Sequence, residues 1–235
     1  MSKIDEVKAK FKGRFLAEPA ALLEKLSKIK AFIFDWDGVF NNGMKDEHGS
    51  SPFSEVDSMG VNMLRFNHYL HTEKTPLTAI ISGERNRASF TFSVREHFNS
   101  VYYKVADKKL ALDHFCSMHH IEPHEIAFFF DDVLDLGLAE KAGLRIMIGR
   151  PANPFLLEYA ELRGIADYIT AADGSHYAVR EATELLIGIR GLYDETIEYR
   201  SHFTGKYKDY LQMRNMTDLA FYTAINSAIK EQIPQ

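Results

Sequence analysis

From residue 31 onward, short apolar runs alternate with amphipathic stretches, and this alternation limits the possible folds more than any other feature of the chain. The runs are Ala31–Phe34, Leu77–Ile81, Val101–Tyr103, Ile126–Phe130, Leu144–Ile148 and Asp167–Ile169. Helical periodicity falls between and after them, over Val56–His71, Arg85–His97, Asp107–His120, Val133–Ala142, Pro154–Leu162 and Ala178–Arg190. Runs without polar alternation suit strands covered on both faces, and a helix between successive strands makes their pairing parallel. The pattern predicts an α/β fold, a Rossmann-like parallel sheet with helices on both faces.

The flanks read differently. Residues 1–30 form a charged, helix-prone arm with Leu22, Leu23 and Leu26 as its apolar stripe, and Pro19 starts its second helix. Residues 31–190 hold the α/β domain. Within it, the polar segment at about 41–55 carries Gly43 and Gly49 and predicts a small β-hairpin insertion after the first strand. Residues 191–235 are Tyr-rich and predict a helical extension of two helices.

Composition excludes several partners. The 235 residues carry 28 basic and 33 acidic side chains, a formal charge of −5. That balance offers no electrostatic footprint for a nucleic-acid backbone. The longest apolar run, Ile126–Phe130, is far short of a membrane span, and the charged start lacks a signal-peptide core. Cys116 is the single cysteine, as expected in a reducing compartment. The chain is expected to be cytoplasmic, with neither nucleic acid nor membrane as partner.

Chemistry gathers where the runs end. In an open parallel sheet, ligands sit outside the carboxyl ends of the strands. Phe34 leads into Asp35-Trp36-Asp37-Gly38, and Phe130 into Asp131-Asp132 with Asp135 one turn later. Two acidic clusters at neighbouring strand ends need a cation, and an all-oxygen, anionic ligand set suits Mg²⁺. In Asp35-Trp36-Asp37, the turn expected at Gly38 lets one carboxylate act as nucleophile and the other as acid/base. Ser82-Gly83 follows the Leu77–Ile81 run and precedes a helix, a place suited equally to a phosphate and to an ordinary N-cap. Of the lysines nearby, Lys108 heads the stripe Ala111, Leu112, Phe115, Cys116, whereas Lys109 is turned about 100° away. A lysine on a buried helix face requires an anion. Lys108 is therefore the expected cation, with Lys109 in reserve. His120 and His124 do not make a metal pair, because Pro123 breaks the register between them.

These segments resemble the haloacid dehalogenase superfamily of aspartyl phosphatases. FIFDWDGV is similar to its first motif, AIISG to its second, the Lys108 region to its third and FFFDDVLD to its fourth. Asn42-Gly43, Phe53, Asp57-Ser58-Met59-Gly60 and the terminal DGSHYAVREATELL resemble the small-cap branch. That branch includes the 3-deoxy-D-manno-octulosonate-8-phosphate phosphatases and their acylneuraminate relatives. The resemblance implies a Mg²⁺-dependent phosphomonoesterase acting on a sugar or sugar-acid phosphate. Asp35 would be the nucleophile and Asp37 the acid/base. Ser82, Gly83 and Lys108 would bind the phosphoryl oxygens, with Arg85 and His176 on the substrate. Asp35, Asp131 and the Asp37 carbonyl would hold the metal, with Asp132 and Asp135 orienting that shell. Phosphotransfer to an alcohol and a non-catalytic scaffold are the competing readings. The resemblance also implies a homo-oligomer, a homotetramer as is common in the branch. The chain departs from the family pattern at Val56, Glu84, Phe130 and His176. Three of these, Val56, Glu84 and His176, stand where the family has basic groups that would meet a sugar-acid carboxylate.

Overall fold

The computed structural model describes residues 3–234. Nine strands form one sheet in the order β1-β7-β6-β5-β2-β3-β4-β8-β9. They are β1 (Arg14–Phe15), β2 (Ala31–Phe34), β3 (Leu77–Ile81), β4 (Ser100–Tyr103), β5 (Ile126–Phe130), β6 (Leu144–Met147), β7 (Tyr168–Ile169), β8 (Ala220–Ile225) and β9 (Ala228–Glu231). All pairings are parallel except β1–β7 and β8–β9 at the two edges. The helices are α1 (Lys3–Lys8), α2 (Pro19–Lys28), α3 (Glu55–Thr72), α4 (Arg87–Arg95), α5 (Lys108–His119), α6 (Leu136–Ala139), α7 (Pro154–Leu162), α8 (Ala178–Arg190), α9 (Tyr193–His202) and α10 (Lys206–Asn215).

Each central strand feeds two cores. Phe32 and Phe34 of β2 and Phe129 of β5 pack on one face with α2, α3 and α8. Ala31 and Ile33, with Phe128 and Phe130, face the other way onto α5, α6 and α7. The period of two is the strand's own, and burial on both faces is why no polar residue interrupts these runs.

Two expectations are corrected. Residues 41–54 hold no strand, so the β-hairpin insertion does not form. Side chains take over the hydrogen bonds that a ladder would use. Asn41 accepts from the backbone of Gly38 and Gly43, and Asp46 accepts from that of His48 and Ser50. Asn and Asp compete with strand pairing in this way. The second correction concerns the C-terminal extension. Its two helices are present, but β8 then lies beside β4 and β9 closes the edge. The signal was in the sequence: Ala220–Ile225 is rich in β-formers, and Asn226-Ser227 both sit at positive φ, as a two-residue hairpin turn requires. The N-terminal arm likewise adds the short strand β1.

His68 shows how helix packing tunes a titration. It lies 3% exposed on α3 and its Nδ1 accepts from Arg190 at 3.0 Å. Burial, then the Arg190 charge, pushes its pKa down to about 3. The unfolded chain therefore binds one more proton than the native state between about pH 3 and 6.5, so stability is lost as pH falls through that window. Urea unfolding should show a loss approaching about 1.4 kcal/mol per pH unit below 6.5. His68→Asn, which keeps an acceptor for Arg190, should remove that part of the slope.

Candidate active site

The sheet order puts β2 between β3 and β5, with the chain winding outward in opposite directions from it. The crevice at such a reversal is where α/β sheets bind ligands. The β2 end delivers Asp35, whose backbone N–H donates to Phe129 O at 2.9 Å. Trp36 is fully buried, stacks on Phe40, touches Phe53 and Phe92, and ties its indole N–H to Ser51 O at 3.1 Å. These contacts fix the loop between the two aspartates. Gly38 follows at φ +89°, and a Cβ there would come within 2.1 Å of Asp131 Oδ2. Only glycine allows this turn while Asp131 approaches.

The β5 end supplies the second cluster. Asp135 reaches back to accept from the backbone of Asp131 and Asp132, at 3.3 and 3.1 Å. Lys108, 3% exposed at the start of α5, donates to Asp35 Oδ1 at 2.5 Å and to Asp135 Oδ1. Lys109 is exposed, its stem lies beside Gly137, and it does not line the cleft that opens here. A cleft of about 290 Å³ opens over this group, lined by Asp35, Asp37, Ser82, Gly83, Glu84, Lys108, Asp131, Asp132 and Asp135, with Val133 and Leu134 at its lip.

Its charge is far from balanced. Six carboxylates line the cleft beside one lysine. Burial pushes the Asp35 and Asp131 carboxyls up. Lys108 pulls Asp35 back, while Asp135 opposes it. For Asp131 the neighbouring Asp35 and Asp135 add to the rise. Lys108 itself is held above the usual lysine range, because the two carboxylates outweigh the cost of its burial. One oxygen each of Asp35, Asp131 and Asp135 lies within 4.8 Å of the others, and all three residues are buried. Asp131 Oδ1 has no hydrogen-bond partner, so a hard cation would complete this group.

Most of the expected site residues meet here, and some do not. Ser82 and Gly83 line the cleft, but α4 begins only at Arg87, so they lie in a loop ahead of the helix. The Asp37 carboxylate turns from the trio toward Ser51 Oγ (2.6 Å), Asn86 Nδ2 (3.3 Å) and Lys45. Asp132 is exposed and caps the short 3₁₀ turn at Val133–Asp135, outside the buried trio. Arg85 packs over Phe90 and lines a different cavity. His176 is exposed, pairs with Asp173 at 2.8 Å and does not line the cleft. Sequence reading missed Lys45, Ser51, Asn86 and Arg150, whose guanidinium holds Asp131 Oδ2 at 2.6 Å. Only the acidic loop ends pointed to a need for such partners.

DGSHYAVRE supports the site from behind. A Cβ on Gly174 would meet Asn41 O at 2.0 Å and Gly38 O at 2.4 Å, both backbone atoms of the loop that follows Asp35. Gly174→Ala should therefore displace that loop and destabilise the fold by about 1–3 kcal/mol, the usual range for overpacking. Turnover should fall more than stability alone explains, as seen by assaying the folded fraction.

No family model matches the chain. It is 26% identical over 180 residues to the 3-deoxy-D-manno-octulosonate 8-phosphate phosphatase KdsC of Escherichia coli K12, covering 75% of this chain and 88% of that protein. A structure described as a HAD-superfamily hydrolase of subfamily III A, from Legionella pneumophila, superposes with a TM-score of 0.64 at 28% identity. That match covers 78% of this chain and 95% of the other. The octulosonate-8-phosphate phosphatase of Moraxella catarrhalis, solved with magnesium, phosphate and KDO, shares the fold. It superposes with a TM-score of 0.60 at 24% identity, over 78% of this chain and 98% of that one.

Proposed function

We propose that this chain, a phosphatase of the haloacid dehalogenase superfamily similar to the octulosonate-8-phosphate branch, hydrolyses a small sugar or sugar-acid phosphate with Mg²⁺ through an aspartyl-phosphate on Asp35. The observation that carries the reading is the buried trio of Asp35, Asp131 and Asp135 around Lys108, open to solvent through one cleft.

Asp35, Asp131 and the Asp37 backbone would hold the ion. When bound, Mg²⁺ neutralises charge at the phosphoryl oxygens. The other work belongs to the chain. Asp35 attacks phosphorus as the ester oxygen leaves. Lys108, Ser82 and the Gly83 amide bind the equatorial oxygens, where the charge of the transition state is spread. Asp37 gives its proton to the departing alkoxide and then takes one from the attacking water. Ser51 and Asn86 hold that carboxylate in place. Asp135 orients both Lys108 and the Asp131 backbone, as a supporting shell does.

Glu84 lines the cleft, whereas Arg85 and His176 do not. The apolar lip of Val133 and Leu134, each 61% exposed, is a surface that a second copy could cover in a homotetramer. Size-exclusion with light scattering measures the assembly. Among the described residues no helix is long and apolar enough to cross a membrane. The lone Cys116 fits the cytoplasmic setting proposed here.

The test is phosphate release from a panel of sugar and sugar-acid phosphates, octulosonate 8-phosphate included, with Mg²⁺ and with chelator. Mg²⁺-dependent release from a sugar or sugar-acid phosphate supports the reading, and the fastest compound names the substrate class. Folded, Mg²⁺-binding protein that releases phosphate from none of them refutes it.

A further inference from the structure

A second cavity, of about 450 Å³, lies where α9 and α10 dock against α3 and the end of α4. Arg95, Arg200 and Arg214 line it, with Glu55, Glu96 and Asn62. Arg65 is buried beside them, donating to the carbonyls of Glu96 (2.5 Å) and His97 (3.1 Å).

The four guanidiniums share two carboxylates. Arg95 takes most of both, at 2.5 Å from Glu55 and 3.1 Å from Glu96. Arg214 reaches Glu96 only at 3.5 Å and gives Nε and one NH₂ to the Asn215 side chain. Arg200 donates Nε to Asn62 Oδ1 at 3.1 Å and pairs with no carboxylate among the described residues. Its guanidinium stacks over Phe203 and Tyr207, at 4.8 and 4.9 Å from the ring centroids. Stacking fixes the plane and leaves the N–H edge for a planar or tetrahedral anion. The Tyr210 hydroxyl is buried without a partner in the aromatic cluster that seats α10 on α3.

Four guanidiniums beside two carboxylates leave surplus positive charge in a half-buried concavity, with Arg200 lacking a carboxylate among the described residues and Arg214 held by Glu96 only at 3.5 Å. A ligand with two negative oxygens would offset that surplus. We propose that this cavity binds a small dianion, a phosphate monoester or a dicarboxylate, held chiefly by Arg200 and Arg214. The site is separate from the aspartate cleft, and the proposal stands whether or not the phosphatase reading holds.

Calorimetric titration of the chelator-treated full chain with inorganic phosphate, and separately with malonate, tests it. At least one anion should bind. Arg200→Met, which orphans no carboxylate, should weaken that binding about tenfold, and Arg200→Met/Arg214→Met should weaken it further. Circular dichroism and melting check that the variants fold. Phosphate binding alone assigns the phosphoryl class, and malonate binding alone the dicarboxylate class. Titrations unchanged in Arg200→Met, or no heat from either anion up to about 10 mM, would overturn the proposal.

Discussion

Asp35→Asn should lower turnover by about 10⁴-fold or more while leaving the fold intact, since in the proposed mechanism Asp35 is the nucleophile and no neighbour replaces it. The structure explains why the two effects separate. Asp35 is a buried carboxylate pushed up by its surroundings, so its charge costs stability instead of adding to it. The amide removes one of three crowded charges, and Lys108 keeps Asp135 as partner. Metal-free protein should therefore melt at an unchanged or higher temperature. Turnover within tenfold of the parent, with Mg²⁺ present, would remove Asp35 from the chemistry.

Lys108→Met should do the opposite to stability. The lysine is the only cation contacting Asp35 and Asp135 among the described residues, and its loss leaves two buried carboxylates facing each other. Removing one partner of a buried ion pair costs about 3–5 kcal/mol. Denaturation in chelator should show a loss of that order, and Mg²⁺ should restore part of it by replacing the missing charge. Turnover should fall by about 10²–10³, the range for losing one preorganised donor at the transferring group. An equal loss of stability with and without Mg²⁺ would mean that the ion does not bind beside Lys108.

Much of this site was legible because its members sit at strand ends or on a helix face, where local periodicity fixes direction. Phe32-Ile33-Phe34 and Phe128-Phe129-Phe130 announced buried strands, so Asp35 and Asp131 had to emerge at their carboxyl ends. Helical phase alone separated Lys108 from Lys109, since Ala111, Leu112 and Phe115 mark the buried face of α5. What escaped depends on long-range placement. Arg150 meets Asp131 across 19 residues, and Ser51 and Asn86 meet Asp37 from two different loops. No local pattern encodes such pairings. Arg85 and His176 lie outside the cleft lining for a related reason: a family position carries a side chain's address only if the surrounding loop keeps its course. The 41–54 segment shows how that course is lost, for its Asn and Asp side chains satisfy the backbone that a hairpin would have paired.

Borohydride trapping during turnover tests the central claim most directly. Reduction of an acyl-phosphate at an aspartate yields homoserine, which peptide mass mapping locates. The account predicts homoserine at position 35 alone, formed only when Mg²⁺ and a hydrolysed substrate are both present. Steady phosphate release with position 35 unmodified, or homoserine at another aspartate of the cleft, would contradict it.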